Sequence, residues 1–201
     1  MPADATLEAR MPRLILIKHA SPLVVPGEPA HRWRLSEQGR AACVPLAEAL
    51  RNHAPAVIVS STEPKAVETA ELVAAHLAIP HETASDLHEH DRSNVPHMRS
   101  GEFISMMELM FRKPDQLVLG RETARQAQQR FSRAVESVIN RHKDRDLAIV
   151  SHGTVIALFV AQHSATPAFQ LWRTMQLPSF VVMEHPGWRV VDTTASIRRP
   201  D

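Results

Sequence analysis

Three short apolar segments predict the centre of the fold. Residues 14–17, 56–59 and 147–150 are apolar at every position and lie far apart along the chain. Continuous apolar runs of this length are typical of strands that are buried on both faces of a parallel sheet. The sequence therefore predicts three neighbouring strands in a buried sheet.

The segments that follow the first two runs have helical periodicity. Residues 36–51 place apolar side chains at helical spacing, and Ser36 is suited to cap the helix. After the second run, Ser61 or Thr62 is expected to cap a helix with Pro64 in its first turn. Strand, helix and strand in this order predict a βαβ unit.

The pattern changes over residues 90–142. Residues 103–111 are Met-rich and apolar nearly all round, and residues 121–142 repeat apolar positions as in an amphipathic helix. We interpret this region as a helical insertion that covers one end of the sheet. Near the C-terminus, 180–183 and 188–191 flank a His-Pro-Gly turn and predict a closing hairpin.

Together these elements predict an α/β three-layer sandwich. Its mostly parallel central sheet is flanked by helices, and it carries the helical insertion and a C-terminal antiparallel hairpin. A length of 201 residues fits one such domain. We expect residues 1–12, which are small and polar, to form a flexible tail and residues 13–201 to form the domain.

Composition narrows the functional classes. The chain is 44% hydrophobic and 22% charged, with a formal net charge of +1, so disorder and bulk attraction to nucleic acid are both disfavoured. Apolar stretches stay short of the roughly 18 residues that span a bilayer, so no membrane association is expected. Cys43 is the only cysteine, which excludes an internal disulfide and favours a cytoplasmic location.

Cationic residues follow the predicted strands at the point where each strand ends. Lys18 and His19 follow the first run, Lys65 lies shortly after the second, and His152 follows the third. The carboxyl ends of parallel strands share one edge of the sheet, where such folds bind ligands. Lys65 is also in the first turn of its helix, where a cation opposes the macrodipole. A phosphate-sized anion would suit this edge.

Several common site motifs are missing. The sequence has no GxxxxGK[ST] loop, GxGxxG turn, GxSxG elbow, HExxH pair or CxxC pair. Nucleotide cradles, serine hydrolases and the commoner zinc sites therefore lose support.

Five segments, in order, resemble the motifs of the histidine phosphatase superfamily, which includes phosphoglycerate mutases and acid phosphatases. LIKHA at 16–20 is similar to the family motif L-[IV]-R-H-G, and LSEQG at 35–39 is similar to L-[ST]-x-x-G. SSTEPKAVETA at 60–70 is similar to S-x-x-x-R-A-x-x-T-A, and LHE at 87–89 is similar to L-x-E. VSHGT at 150–154 is similar to the motif of the second histidine.

The resemblance implies a phosphomonoester hydrolase that acts through a phosphohistidine. His19 would attack phosphorus, and Glu89 would protonate the leaving group and then help to activate water. The phosphoryl oxygens would be held by side chains or backbone N–H groups of Lys18, Lys65, His152, Gly153 and Thr154. The substrate would be a small phosphorylated metabolite or a phosphoprotein, and neither a cofactor nor a metal is expected.

The chain also departs from the family pattern. Lys18 and Lys65 stand where the family has arginine, and Ala20 replaces the glycine after the nucleophile. Lysine lacks the bidentate fork of arginine, so a catalytically weak or inactive member that binds a phosphorylated ligand is the alternative function. Arg34 or Arg92 could complete the pocket.

Other features of the sequence leave alternatives open. Ser21 is a candidate substrate contact, but the segment after His19 lacks the longer asparagine-bearing stretch of the mutases, which favours hydrolysis. His88 and His90 could form a metal pair, although an exposed polar loop around Glu89 is the simpler interpretation. The Met-rich segment could serve packing, a substrate lid or a homodimer contact.

Overall fold

A computed structural model describes residues 11–96, 98–195 and 197, so most of the predicted N-terminal tail lies outside the described residues. Within these described residues, six strands and six α-helices alternate for the most part. The strands are β1 (Arg13–Lys18), β2 (Ile58–Ser60), β3 (His81–Thr83), β4 (Leu147–Ser151), β5 (Ser179–Glu184) and β6 (Arg189–Thr194). The helices are α1 (Glu37–Leu50), α2 (Pro64–Leu77), α3 (Ser100–Arg112), α4 (Ala124–Arg141), α5 (Gly153–His163) and α6 (Ala168–Thr174).

The strands form one mixed sheet with the order β3-β2-β4-β1-β5-β6. The first four in this order pair in parallel, while β5 is antiparallel to β1 and β6. Lys18 is opposite Ser151, and Ser60 is opposite Val150, so β1, β2 and β4 end at the same edge. The predicted α/β class, the mostly parallel sheet and the C-terminal hairpin are therefore confirmed.

Both faces of the sheet are covered because successive side chains of a strand point to opposite faces. In β1, Leu14 and Leu16 pack in one apolar cluster with buried residues of α4 and α5. Ile15 and Ile17 pack in a second cluster with buried residues of α1 and α2. The amphipathic helix α4 is thus part of a helical layer on one face of the sheet.

Four local features differ from the sequence expectation. Strand β3 and helix α6 were not predicted. Helix α2 begins at Pro64 with Glu63 at its N-cap position, so the expected Ser61 or Thr62 cap is wrong. Thr123 and Gln126 form a capping box that starts α4 a few residues later than residue 121.

The segment after His19 is held rigidly against α1 and α2. Ser36 donates hydrogen bonds from its N–H and its hydroxyl to the carbonyl oxygen of Ser21, at 3.1 and 3.0 Å. A Cβ on Gly39 would lie 2.1 Å from the same oxygen, so only glycine allows this approach. The Ala20 N–H donates to Thr69 Oγ1 at 3.0 Å. The backbone on the C-terminal side of His19 therefore has a fixed path.

Among the described residues, none of the helices has both the length and the apolar character needed to cross a bilayer.

Candidate active site

His19 lies directly beyond β1 and is held as a neutral imidazole. Its backbone N–H donates to the Ser151 carbonyl at 3.0 Å, and its ring Nδ1 lies 2.7 Å from the Ala20 carbonyl. Because a carbonyl only accepts, Nδ1 carries the proton and Nε2 keeps its lone pair. Burial, then the neighbouring His152, Lys65 and Lys18, lower the pKa of His19 well below its usual value. The form able to attack phosphorus therefore dominates at neutral pH.

His152, at the end of β4, lies beside His19 with ring centroids 5.2 Å apart. The Ser61 hydroxyl lies 2.9 Å from Nε2 of His152, and the same hydroxyl oxygen accepts the Glu63 N–H at 3.3 Å. Burial and Lys65 lower the pKa of His152, so its ring is neutral. Its buried Nδ1 has no hydrogen-bond partner among the described residues. In the tautomer that carries the proton on Nδ1, a phosphoryl oxygen would satisfy this nitrogen.

Lys18 reaches over the first turn of α5. Its Nζ donates to the Met175 carbonyl at 2.8 Å. A Cβ on Gly153 would lie 3.1 Å from Cε of Lys18, so the glycine makes room for this side chain. Burial lowers the pKa of Lys18, while the negative charge of Glu89 raises it. Lys18 is thus close to both the start of α5 and the carboxylate of Glu89.

Lys65 is buried in the first turn of α2. Its Nζ donates to the Ala30 carbonyl at 2.8 Å and to the carboxylate of Glu63. The positive charge of Lys65 contributes to the lowered pKa of both His19 and His152. Lys65 therefore lies in the first turn, where it opposes the helix dipole, because its charge faces inward toward the two histidines.

Glu89 is held at the start of α5 together with Arg92. Oε2 of Glu89 accepts the N–H and the hydroxyl of Thr154, at 3.2 and 3.1 Å, and Oε1 accepts the His90 N–H at 2.8 Å. Arg92 lies 3.5 Å from Oε2 of Glu89 and donates to Thr154 Oγ1 at 3.2 Å. Burial raises the pKa of Glu89, but Arg92 and the backbone N–H groups of His90 and Thr154 lower it by more, so that it lies well below its usual value. Glu89 is therefore ionised when the site is empty.

Glu63 is a second carboxylate at this site, and sequence reasoning missed it. Besides its ion pair with Lys65, it accepts the backbone N–H of Glu89 at 2.9 Å, and its Oε1 lies 3.5 Å from His152 Nε2. Its side chain is only 9% exposed. An acidic residue at the start of a helix is common because it complements the macrodipole, so no sequence pattern singled out Glu63.

Two of the candidate substrate contacts have hydrogen-bond or ion-pair partners outside this cluster. The Arg34 side chain is 72% exposed and pairs with Glu68, which also pairs with Arg40. The Ser21 hydroxyl faces the Leu177 carbonyl at 3.5 Å. Of the three residues suggested by the sequence, only Arg92 lies beside Glu89 and Thr154.

The two histidines that flank Glu89 have separate surroundings. His90 is buried, and its Nε2 lies 2.8 Å from the Glu122 carbonyl, whereas His88 is partly exposed. In the part of the chain that the structure describes, no group of three or more His, Cys, Asp or Glu residues could hold a metal ion. Nearby, Met107 and Met110 are buried in the apolar core and Met106 packs against it.

The comparisons with known proteins identify a family for this chain. Residues 27–193 match the family described as histidine phosphatase superfamily (branch 1). No curated protein matches the sequence significantly. The matched region covers most of the sheet and the positions of Lys65, Glu89 and His152.

Solved structures show the same fold. A mycobacterial glucosyl-3-phosphoglycerate phosphatase has a TM-score of 0.74 at 22% identity, with 93% of this chain and 100% of that chain covered. YhfR of Bacillus stearothermophilus has a TM-score of 0.70 at 27% identity, covering 89% and 94%. Phosphoserine phosphatase from Entamoeba histolytica has a TM-score of 0.75 at 13% identity, covering 92% and 98%.

The fold and the family match place this chain in the class of histidine-type phosphatases. The chain belongs to branch 1 of the histidine phosphatase superfamily.

Proposed function

We propose that the protein hydrolyses phosphate monoesters through a phosphohistidine on His19. The observation that carries the proposal is the free Nε2 of a buried, neutral His19 beside His152, Lys18 and Lys65. A phosphoryl group bound among these residues would meet a nucleophile together with cations that balance transition-state charge. The backbone N–H group of Gly153 at the start of α5 contributes a further donor, whereas the N–H of Thr154 already donates to Glu89.

The reaction has two steps. In the first, the His19 Nε2–P bond forms as the bond between phosphorus and the leaving oxygen breaks, and that oxygen takes a proton. In the second, a water oxygen attacks phosphorus, the N–P bond breaks, and Glu89 accepts the water proton. Since Glu89 is ionised when the site is empty, the proton that it gives to the leaving group must arrive with the substrate.

The substrate class is a small phosphorylated metabolite or a phosphoprotein. Two of the structural relatives are named as phosphatases of small phosphorylated metabolites, glucosyl-3-phosphoglycerate and phosphoserine, which supports the metabolite. We further propose a cytoplasmic location, which rests on the single cysteine, Cys43.

One observation favours the alternative of a weakly active or binding-only member. The Nζ of Lys65 already has two partners, Ala30 and Glu63, so less of its binding capacity is free for substrate. The two functions differ in turnover, which a panel of phosphate esters measures directly.

We expect purified protein to hydrolyse p-nitrophenyl phosphate and at least one natural monoester, with unchanged rates in the presence of EDTA. The reason is that a histidine nucleophile and side-chain cations perform both steps. Saturable phosphate binding without release of any alcohol across the panel would establish the binding-only function instead.

The same panel of phosphate esters tests how Lys18 and Lys65 contribute to substrate binding. Arginine can hold two phosphoryl oxygens at once, whereas lysine acts as a point donor. We therefore expect Lys18→Arg and Lys65→Arg to lower KM for p-nitrophenyl phosphate, by about tenfold where the fork can be accommodated. The exposed Lys143→Arg is the matched control. Loss of one preferred natural ester in the pocket variants, without a general gain, would assign the lysines to substrate specificity.

A further inference from the structure

We propose that Glu63 sets the charge of the phosphoryl group that this site accepts, so that the pocket binds a singly charged phosphoryl group in preference to a doubly charged one. The proposal deepens the proposed function and rests on its phosphoryl site. It concerns equilibrium binding and can therefore be tested without turnover.

The first argument is the position of Glu63 among the site residues. Its buried carboxylate contacts the ammonium of Lys65 and the backbone N–H of Glu89, and its Oε1 lies 3.5 Å from Nε2 of His152. These are a candidate phosphoryl-binding cation, the candidate acid–base and the second histidine. A carboxylate that bridges all three is positioned to influence any anion bound between them.

The second argument is the binding capacity of Lys65. An ammonium group has three N–H donors. One is directed to the Ala30 carbonyl and one to Glu63. A phosphoryl group can therefore take only the third donor unless it displaces the Glu63 carboxylate.

The third argument is the charge balance of the enclosed site. Its cations are Lys18, Lys65 and Arg92, and its carboxylates are Glu63 and Glu89. Both histidines are neutral because their pKa values are lowered. The excess is one positive charge. A singly charged phosphoryl group cancels it, whereas a doubly charged group would leave an uncompensated negative charge in a mostly buried site, which is costly.

The fourth argument is the proton that a singly charged phosphoryl group retains. Its P–OH can donate to a carboxylate, and two carboxylates line the site. Glu89 lacks the proton that the leaving oxygen needs, since its hydrogen bonds and Arg92 keep it ionised. A proton transferred from the phosphoryl group to Glu89, and from there to the leaving oxygen, balances the first chemical step.

The test is calorimetric titration of inorganic phosphate at pH 6 and pH 8. Phosphate loses its second proton over this interval. The groups that face Glu63 are Lys65 from α2, His152 after β4, and His88 and Glu89 from the loop between β3 and α3. The pKa values of His88, His152 and Glu89 all lie below their usual values. We expect wild-type affinity to be about tenfold weaker at pH 8, following the singly charged fraction. Glu63→Gln should bind at least about tenfold more tightly than wild type at pH 8, with little difference between the two pH values.

Two further variants control the experiment. Glu63→Asp keeps the charge and should keep the wild-type pH dependence, and Glu71→Gln removes a charge from the exposed side of the same helix and should have no effect. Circular dichroism establishes that each variant is folded. Equal wild-type affinity at both pH values, or an unchanged pH ratio in folded Glu63→Gln, would overturn the inference. If these ratios hold but His19→Ala retains turnover, the hydrolytic mechanism is wrong and the role of Glu63 stands.

Discussion

His19→Ala should lower the kcat of phosphate-ester hydrolysis by at least about 1000-fold. The expected loss is large because no other imidazole can replace it. The Nδ1 of His19 is fixed by the Ala20 carbonyl, which leaves Nε2 free, whereas Nε2 of His152 is engaged by Ser61 and Glu63. Phosphate affinity should change far less, since Lys18, Lys65 and Arg92 remain.

The measurement is steady-state hydrolysis of p-nitrophenyl phosphate beside calorimetric phosphate binding. His76→Ala is the matched control, because His76 pairs with Glu48 at 2.6 Å, away from the site residues. Retained turnover in folded His19→Ala would exclude His19 as the nucleophile. Parallel loss of turnover and phosphate affinity would instead indicate a general disturbance of the pocket.

Glu89→Gln should affect substrates according to their leaving group. When an alkyl phosphate reacts, its leaving oxygen needs a proton as the P–O bond breaks. General acid catalysis of this step increases the rate by about 10²–10⁴-fold. The p-nitrophenolate ion leaves without a proton. We expect kcat/KM, which reports the steps up to phosphoenzyme formation, to fall by about 100-fold or more for an alkyl phosphate and by less than about tenfold for p-nitrophenyl phosphate.

Glutamine suits this test because it fills the same volume, and its single amide oxygen can still accept from either His90 or Thr154. Glu102→Gln, an exposed residue of α3, serves as the control. An equal fall of kcat/KM for both substrates would mean that Glu89 positions the substrate or Arg92 rather than transferring a proton.

The sheet and part of the site could be predicted from the sequence because both follow from local pattern. The continuous apolar run of β1 requires burial on both faces, and the parallel register then places the residues after β1 and β4 at one edge. His19 and His152 were found in this way. Strand β3 escaped detection because its three residues, His-Glu-Thr, have no apolar pattern, and α6 is only seven residues long.

The remainder of the site depends on contacts between residues that are distant in sequence. Arg92 reaches Thr154 across 62 positions, and Glu63 meets Glu89 across 26. Glu63 is buried because the end of β2 and the loop before α3 lie next to each other in the fold. No local sequence pattern specifies that arrangement. The place of Glu63 two residues before Lys65 was the available signal, but this spacing alone does not distinguish an ion pair at a site from an ordinary helix start.

The most direct test of the central claim is to trap the phosphoenzyme. After rapid mixing with a ³²P-labelled phosphodonor and quenching in alkali, the label should be on Nε2 of His19, should be lost on acid treatment as expected for a phosphoramidate, and should be absent from His19→Ala. A hydrolytically active wild type that yields no acid-labile label, or a label that persists in folded His19→Ala, would contradict a phosphohistidine mechanism at His19.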